Sequence, residues 1–373
     1  MKFSIERKEM QEAIAKVGKA ITEKLGNPIL DGMYIKASKE DNTLTLIGSD
    51  GDMTIKTVIG ANVIDSGEVI IKPRILGEIV RKLPDEEMHF ATNEDGQLVE
   101  IKCFKSEYAL VCNNGDEYPS TAIENTVTDG VHLELEQGVL KDMVKSVQFA
   151  ASDSDARPVL KGISLKAKNG VLTLVAIDGY RLAKKTLELD TESEVSAIID
   201  AKLFNDISKL LKDNDEIVHL SIGRNQVSFK FEDTVVILRL IDGNFINYES
   251  LIPSTESTLA VKVTRTDLIA AINRVSVMSD NQNHLAKLDI TSGLMVVSAK
   301  SQLGQVKEDI QLSIDVENPL TIAFNAKYLL DALNAMGNDE VILNLISPVS
   351  PCLIKGVNDD TGEFLVLPVR MTR

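Results

Sequence analysis

Hydrophobic and polar positions alternate most clearly in residues 157–185, RPVLKGISLKAKNGVLTLVAIDGYRLAKK. Val159, Ile163 and Leu165 are separated by polar neighbours, Asn169-Gly170 supplies a two-residue turn, and residues 171–175 resume as β-rich sequence, a pattern that predicts a hairpin. Asp178-Gly179 then turns the chain into a third strand from Tyr180. Residues 28–57 follow the same plan: Pro-apolar-Leu-x-Gly, a strand ending in Lys-Ala, an Asn-containing turn, Leu-Thr-Leu, and an Asp-Gly turn. The chain contains a repeat.

Around each hairpin the same elements recur. In the first copy residues 3–5 read as a strand, followed by a helix whose Met10, Ile14, Val17 and Ile21 share one face. Lys8, Lys16 and Lys19 lie opposite, with Glu12 as the exception. After residues 67–71, Pro73 opens a second helix that buries Leu76, Ile79, Val80 and Leu83, turns Arg74 and Arg81 outward and stops at Pro84. Residues 88–92, 98–104 and 107–112 alternate as strands. The second copy gives a strand at 132–135 and a helix at 139–148, with Leu140, Met143, Val144 and Val147 inward and Lys141 and Lys145 outward. Its second helix, from Ala201, turns Phe204, Ile207 and Leu211 in and Lys202, Lys209 and Lys212 out, ahead of strands at 218–222, 226–231 and 235–240. The third copy places a strand at 259–263, a helix at 267–275 carrying Arg274, a hairpin at 288–299 and a second helix from Ala326 carrying Lys327. The second helices recur about 125 to 130 residues apart, too long a period for a solenoid and right for tandem domains. The expected fold class is α+β, with domains at 1–127, 128–254 and 255–373 and, in each, two amphipathic helices packed on that domain's own sheet.

Composition narrows the function classes. At 373 residues and 44% hydrophobic the chain can bury substantial cores. It has no apolar run of spanning length and no leader pattern near its start, so the expected compartment is the cytoplasm, without a membrane partner. Cys103, Cys112 and Cys352 lack Cys-x-x-Cys spacing, which disfavours a disulfide framework or a zinc site. The four histidines are scattered, and no nucleophile elbow, H-E-x-x-H or phosphate-binding glycine motif occurs, so neither catalytic residues, nor a metal, nor a cofactor is expected. Asp50-Gly51-Asp52 could suggest a metal-dependent hydrolase, yet it coincides with a turn that recurs at Asp178-Gly179. The formal net charge of −16 argues against nucleic acid at face value. The basic residues nevertheless collect on the outward helix faces while acids collect in turns and helix ends, and a shared basic surface can track phosphates without reading bases.

The full chain resembles the bacterial DNA polymerase sliding clamp, the β subunit of polymerase III. The resemblance rests on MKFSIER at the start, NPILDGM and RPVLKGI, AIDGYRLA, RLIDGNF from Arg239, SLIP at Ser250 and VLPVRM near the end, in one order at this spacing. It implies a homodimer of three-domain subunits closing a six-domain ring around duplex DNA, with helices inside and sheet outside, acting as a processivity factor that tethers the replicative polymerase, clamp loader and other proteins through short apolar peptide motifs. A net-negative exterior and basic interior would then hold the duplex and let it slide.

Carried over position by position, the resemblance implies a partner-peptide pocket of Leu160, Ile177, Gly179, Tyr180, Arg181, Leu182 and Pro253, with Pro351, Leu365, Leu367, Pro368, Val369, Arg370 and Met371. Ile177 stands where the family usually has threonine, Tyr180 where it often has histidine, and Thr372-Arg373 extends past the usual end. It also implies a dimer interface of Tyr108 and Leu110 against Val277 and Met278, and a DNA contact at Lys24. The competing reading is a clamp-like scaffold that binds proteins without encircling DNA.

Overall fold

The computed structural model describes residues 1–22, 29–123, 126–127, 129–254, 258–279, 284–316 and 318–371, and the side chains of all of these but Ser120 and Ile123. It divides into two compact units, Met1–Val139 with Lys209–Leu240 and Leu140–Ser208 with Ile241–Arg373. Every strand pairing is antiparallel.

In the first unit Lys2–Glu6 lies between Asn62–Asp65 and Glu87–Thr92, and Leu98–Cys103 and Ser106–Val111 extend the sheet to one edge. Val99, Ile101 and Cys103 are buried while Glu100 and Lys102 face out, the period of two that a half-covered sheet imposes. A nine-stranded sheet runs from Asn113–Asn114 through Gly67–Ile71, Met33–Ser38, Thr43–Ser49 and Met53–Gly60 to Thr234–Arg239, Gln226–Phe231, Ile217–Ile222 and Val131–Glu136. Met33, Tyr34 and Ile35 are buried in succession; on one side Tyr118 and Ala122 pack over Tyr34, Ile47 and Ile70. The helix Pro73–Lys82 begins on its proline and ends before Pro84, with Leu76 and Val80 fully buried. The helix Arg7–Val17 stops sooner than its apolar stripe suggests: Gly18–Ala20 tightens into a 3-10 turn, which carries Lys19 off the helix face.

In the second unit an eight-stranded sheet runs Val195–Asp200, Gly162–Lys168, Val171–Ile177, Arg181–Glu188, Asp359–Val366, Cys352–Gly356, Glu340–Leu345 and Leu259–Thr264. A four-stranded sheet runs Gly304–Gln311, Leu294–Ser301, Leu285–Thr291 and Leu320–Asn325. The helix Arg265–Ser276 buries Leu268, Ala271, Ile272 and Val275, and Ala326–Ala335 buries Leu329 and Leu333 behind an Asn325 cap. Ala201–Ser208 is shorter than its sequence pattern, so Lys209 and Lys212 follow the helix instead of standing on its face.

The hairpin chemistry is realised as expected. Asn169 and Gly170 take φ 53° and 72°, the left-handed pair that a two-residue turn requires. The Asp50 carboxylate accepts the backbone N–H groups of Asp52 and Met53, both at 3.0 Å, and Asp178 accepts those of Tyr180 and Arg181 at 2.8 and 3.0 Å. Gly51 and Gly179 supply φ 93° and 95° between them. Asp50 is thus committed to its turn.

Strand partnership is what the alternation does not carry. Each repeat lends its strands to two sheets instead of one. In one seam Met53–Gly60 of the first repeat pairs with Thr234–Arg239, Met53 opposite Leu238; in the other Arg181–Glu188 pairs with Asp359–Val366, Arg181 opposite Val366. A hairpin strand without that neighbour would expose a row of unpaired N–H and C=O groups.

Candidate functional site

Beside the second seam the strands Val171–Ile177 and Arg181–Glu188 bring Val175, Ile177 and Leu182 onto one face, where Leu160, Leu353, Leu365 and Tyr248 complete a buried apolar cluster. Val159, Phe245, Ile246 and Ile252 pack on it from the surface side and are only partly buried. Pro253 and Pro351 are half-buried, and Gly179 and Tyr180 are exposed, Tyr180 at 62%. The tail is strapped along one margin: Leu367 N–H donates to the Tyr180 carbonyl at 2.9 Å and Val369 N–H to the Ala323 carbonyl at 2.7 Å. Leu367, Arg370 and Met371 remain exposed, and Pro368 and Val369 are half-buried.

Arg181 is placed differently from the rest. Its guanidinium is 10% exposed and paired with Asp178 at 3.0 Å and with Asp331 of the helix Ala326–Ala335. It also lies over the Tyr328 ring at 4.5 Å and the Phe149 ring at 5.3 Å. Tyr180 stacks on the nearer ring, Tyr328, at 6.1 Å. Arg181 is therefore a structural rivet under the rim, with its charge already answered by two carboxylates, more than a free donor at the groove edge.

Each of the four sheets has two edge strands among the described residues, and two of these eight matter here. Ser106–Val111 closes the five-stranded sheet and Gly304–Gln311 the four-stranded one. Along the first, Tyr108 is exposed and Leu110 half-buried, whereas Val236 and Leu238, at the equivalent positions of the paired strand Thr234–Arg239, are fully buried. A cavity of about 460 Å³ lined by Ile70, Ile75, Leu110 and Cys112 opens next to this edge. In the second unit Val277 is 77% exposed and Met278 half-buried, just past the helix Arg265–Ser276.

The basic residues divide. Arg74, Arg81, Lys145, Lys202, Lys209, Lys212, Lys8, Lys19, Arg274 and Lys327 are exposed; Lys16 and Lys141 are half-buried, and Lys24 lies outside the described residues. Several have an internal carboxylate: Lys8 meets Asp85 at 2.7 Å and Arg274 meets Glu308 at 2.7 Å. Lys16 reaches Glu232 at 3.5 Å, and Lys212 pairs with the same carboxylate.

Family models for the DNA polymerase III beta subunit match the chain in succession: the N-terminal domain over residues 1–122, the central domain over 134–247 and the C-terminal domain over 249–370. The chain belongs to the DNA polymerase III beta subunit family. Its function is that of a DNA sliding clamp, a non-catalytic processivity factor of the polymerase. The beta sliding clamps of Staphylococcus epidermidis and Bacillus subtilis are 32% and 31% identical to it, each over 99% of this chain and 99% and 100% of their own. The crystal structure of the Bacillus subtilis clamp superposes with a TM-score of 0.94 at 30% identity, covering 100% of both chains. The Pseudomonas aeruginosa clamp bound to griselimycin gives 0.93 at 24% identity over the same coverage and shares the fold.

Of the buried apolar cluster, the sequence named Leu160, Ile177, Leu182 and Leu365 but not Val175, Leu353 or Tyr248. Val175, Leu353 and Tyr248 went unremarked, because an alternating strand residue carries no mark of which side of the sheet will be left partly uncovered. The signal for Tyr248 and Phe245 was present in IDGNFINYESLIP, an aromatic-bearing turn segment at the exit of the second repeat. Glu232 was legible only as one more acid in a turn.

Proposed function

We propose that this clamp works as a head-to-tail homodimer whose two subunits close a ring on duplex DNA in the cytoplasm, with the groove beside the second seam taking short apolar peptides of the polymerase, clamp loader and other partners. The observation that carries the ring is the equality of the two internal seams. In each, the first residue of an eight-residue hairpin strand, Met53 or Arg181, faces the equivalent residue of a closing strand, Leu238 or Val366. In each, one further backbone bond extends the ladder, Arg239 N–H to Asp52 and Leu367 N–H to Tyr180, both at 2.9 Å. The third eight-residue strand of this kind, Gly304–Gln311, and the third closing strand, Ser106–Val111, each lie at a sheet edge with one side unpaired. Applying the same register between copies sets Leu110 opposite Gly304, Tyr108 opposite Val306, Glu107 opposite Lys307, and Val111 opposite Leu303, which are 77% and 90% exposed in the single chain. The Glu107–Lys307 pair would reproduce the internal Lys184–Glu363 pair at 2.7 Å. Two such seams close a ring, and Val277 and Met278 would fill the cavity behind Leu110.

The groove reading is supported by an apolar floor with a partly covered wall of Val159, Phe245, Ile246 and Ile252, the composition that bulky aliphatic and aromatic anchors fit. The domain boundaries at 127 and 254 belong to the same reading.

Charge exchange across the seam tests the register. Glu107→Lys and Lys307→Glu should each raise the dimer dissociation constant in analytical ultracentrifugation at low salt, and the double exchange should restore most of it. Each single change costs up to about 1 kcal/mol per seam, because the pair lies on an exposed sheet face. A double exchange that dissociates as far as the sum of the singles would remove the register, and a wild-type monomer at every concentration would remove the ring.

A further inference from the structure

The turn between Gln226–Phe231 and Thr234–Arg239 is two residues long, and Glu232 occupies its first position with φ 49°. A non-glycine residue in that region is held there by the turn itself, so its side chain is presented from a fixed base. At that tip Glu232 meets two cations from separate elements: Lys16 of the helix Arg7–Val17 through Oε2, and Lys212 through Oε1. The first position of the matching two-residue turn holds Phe104 in the first repeat, also at positive φ, and Val357 in the third, neither with a charge to offer. The Lys212 ammonium, with Lys16 beside it, holds the Glu232 carboxyl below its ordinary range, so it is an anion wherever the clamp works.

Both lysines belong to the basic surface assigned above to the DNA backbone. A duplex phosphate arriving at Lys16 or Lys212 meets a site already neutralised, and fewer counterions leave when it binds. We infer that Glu232 is an internal substitute for phosphate, which competes with DNA for Lys16 and Lys212 and so keeps the duplex loosely held and free to slide. The inference rests on the reading that these two lysines face DNA, and its test separates the two.

The full-length protein, with Glu232→Gln, Lys16→Ala/Lys212→Ala and the triple variant, is titrated onto a short fluorescent DNA duplex across a potassium chloride series by anisotropy. Glu232→Gln should bind several-fold more tightly at low salt. Its plot of log affinity against log salt should be steeper by about one to two, because each cation released to a phosphate adds roughly 0.9 to the slope. Both changes should vanish in the triple variant. Equal affinity and slope for Glu232→Gln and wild type, with Lys16→Ala/Lys212→Ala clearly weakened, would overturn the role of Glu232 and leave the DNA surface standing. A gain that persists in the triple variant would overturn it too, since Glu232 would then act by general repulsion. Wild-type binding by Lys16→Ala/Lys212→Ala would remove the underlying surface and the inference with it. Should Glu232→Gln lower the melting temperature, Glu232→Asp keeps the charge but shortens the reach, and it should show a smaller gain of the same sign.

Discussion

The two internal seams pair equivalent strands in the same register, yet their mouths are lined by different chemistry. At the mouth of the first, Ser49 faces Thr54 and their hydroxyls share a buried hydrogen bond of 2.8 Å. At the mouth of the second, the equivalent pair is Ile177 and Leu182, whose side chains form the apolar floor. One step on, Asp52 in the first seam corresponds to the exposed ring of Tyr180 in the second, and Arg239 corresponds to Leu367. Deeper in, the first seam sets Thr57 against Thr234 with a buried hydroxyl bond of 3.0 Å, where the second has Lys185 against Gly362. The first seam satisfies itself with neutral hydroxyl pairs. The second swaps those pairs for aliphatic groups and moves its polarity into ion pairs at Arg181, Lys184 and Lys185. A repeated scaffold fixes where two sheets join, and a handful of side chains decides which join carries an apolar face.

The largest expected contrast comes from removing the wall that only the second seam possesses. Deleting residues 367–373 takes away Leu367, Pro368, Val369 and Met371 and the two backbone bonds that strap the tail. Each lost anchor costs about 2 kcal/mol or more, roughly 30-fold in affinity. Calorimetry with a peptide carrying glutamine and bulky aliphatic residues should therefore find no measurable binding, while the proposed dimer, built from other edges, should sediment as it does for the full chain. Wild-type affinity in the truncated protein would place the groove elsewhere and erase the difference between the seams.

A mid-sized effect separates the two kinds of polar pairing. Thr57→Val alone strands the Thr234 hydroxyl, 0% exposed, without a partner. The cost should be about 1–3 kcal/mol in chemical denaturation, and Thr57→Val/Thr234→Val should recover most of it, since an apolar pair of the same shape leaves nothing unsatisfied. At the corresponding position Lys185→Ala should cost about 1 kcal/mol or less, its ammonium being partly solvated and bound to Thr361 at 2.8 Å. Equal losses at Thr57 and Lys185 would mean that burial does not distinguish the seams.

Local chemistry was the legible part of the sequence. Asn169-Gly170, Asp50-Gly51, Asp178-Gly179 and Pro73 each state a backbone geometry in two or three residues, and each is found where the pattern put it. The helix ends were overextended at Ile21 and Leu211, because an apolar stripe continues through a 3-10 turn or a bend as readily as through a helix. Sheet partnership was not legible, since the alternation of Met53–Gly60 is the same whether its neighbour is an element of its own repeat or of the next. Nor was the pairing of Arg181: an arginine beside an apolar groove looks like a ligand contact until Asp331, 150 residues away, is seen to hold it.

The smallest expected effect is a difference in acid sensitivity, and it follows from which seam carries carboxylates. Asp359, at the start of the strand Asp359–Val366, is partly buried, which alone would raise its pKa. Hydrogen bonds from the Thr361 side chain and backbone, with Lys185 and Asn338 nearby, outweigh that and leave it below the ordinary 3.8. Since the folded value lies below the unfolded one, this carboxylate's contribution is complete above the unfolded pKa and fades as pH falls through the folded value. The first seam has neutral Thr57–Thr234 and Ser49–Thr54 pairs at its core, and the one depressed carboxylate beside it, Glu232 in the turn ahead of Thr234, is removed by making the comparison in the Glu232→Gln background. Hydrogen exchange corrected for intrinsic rates should therefore show a few-fold loss of protection in Asp359–Val366 between pH 5 and the acid side of 3.8, against a flat profile in Thr234–Arg239. Asp359→Asn should flatten the second profile at the cost of lower protection at neutral pH. Parallel loss in both strands, or a loss unchanged by Asp359→Asn, would show that acid acts through the whole unit and that this carboxylate does not set the difference.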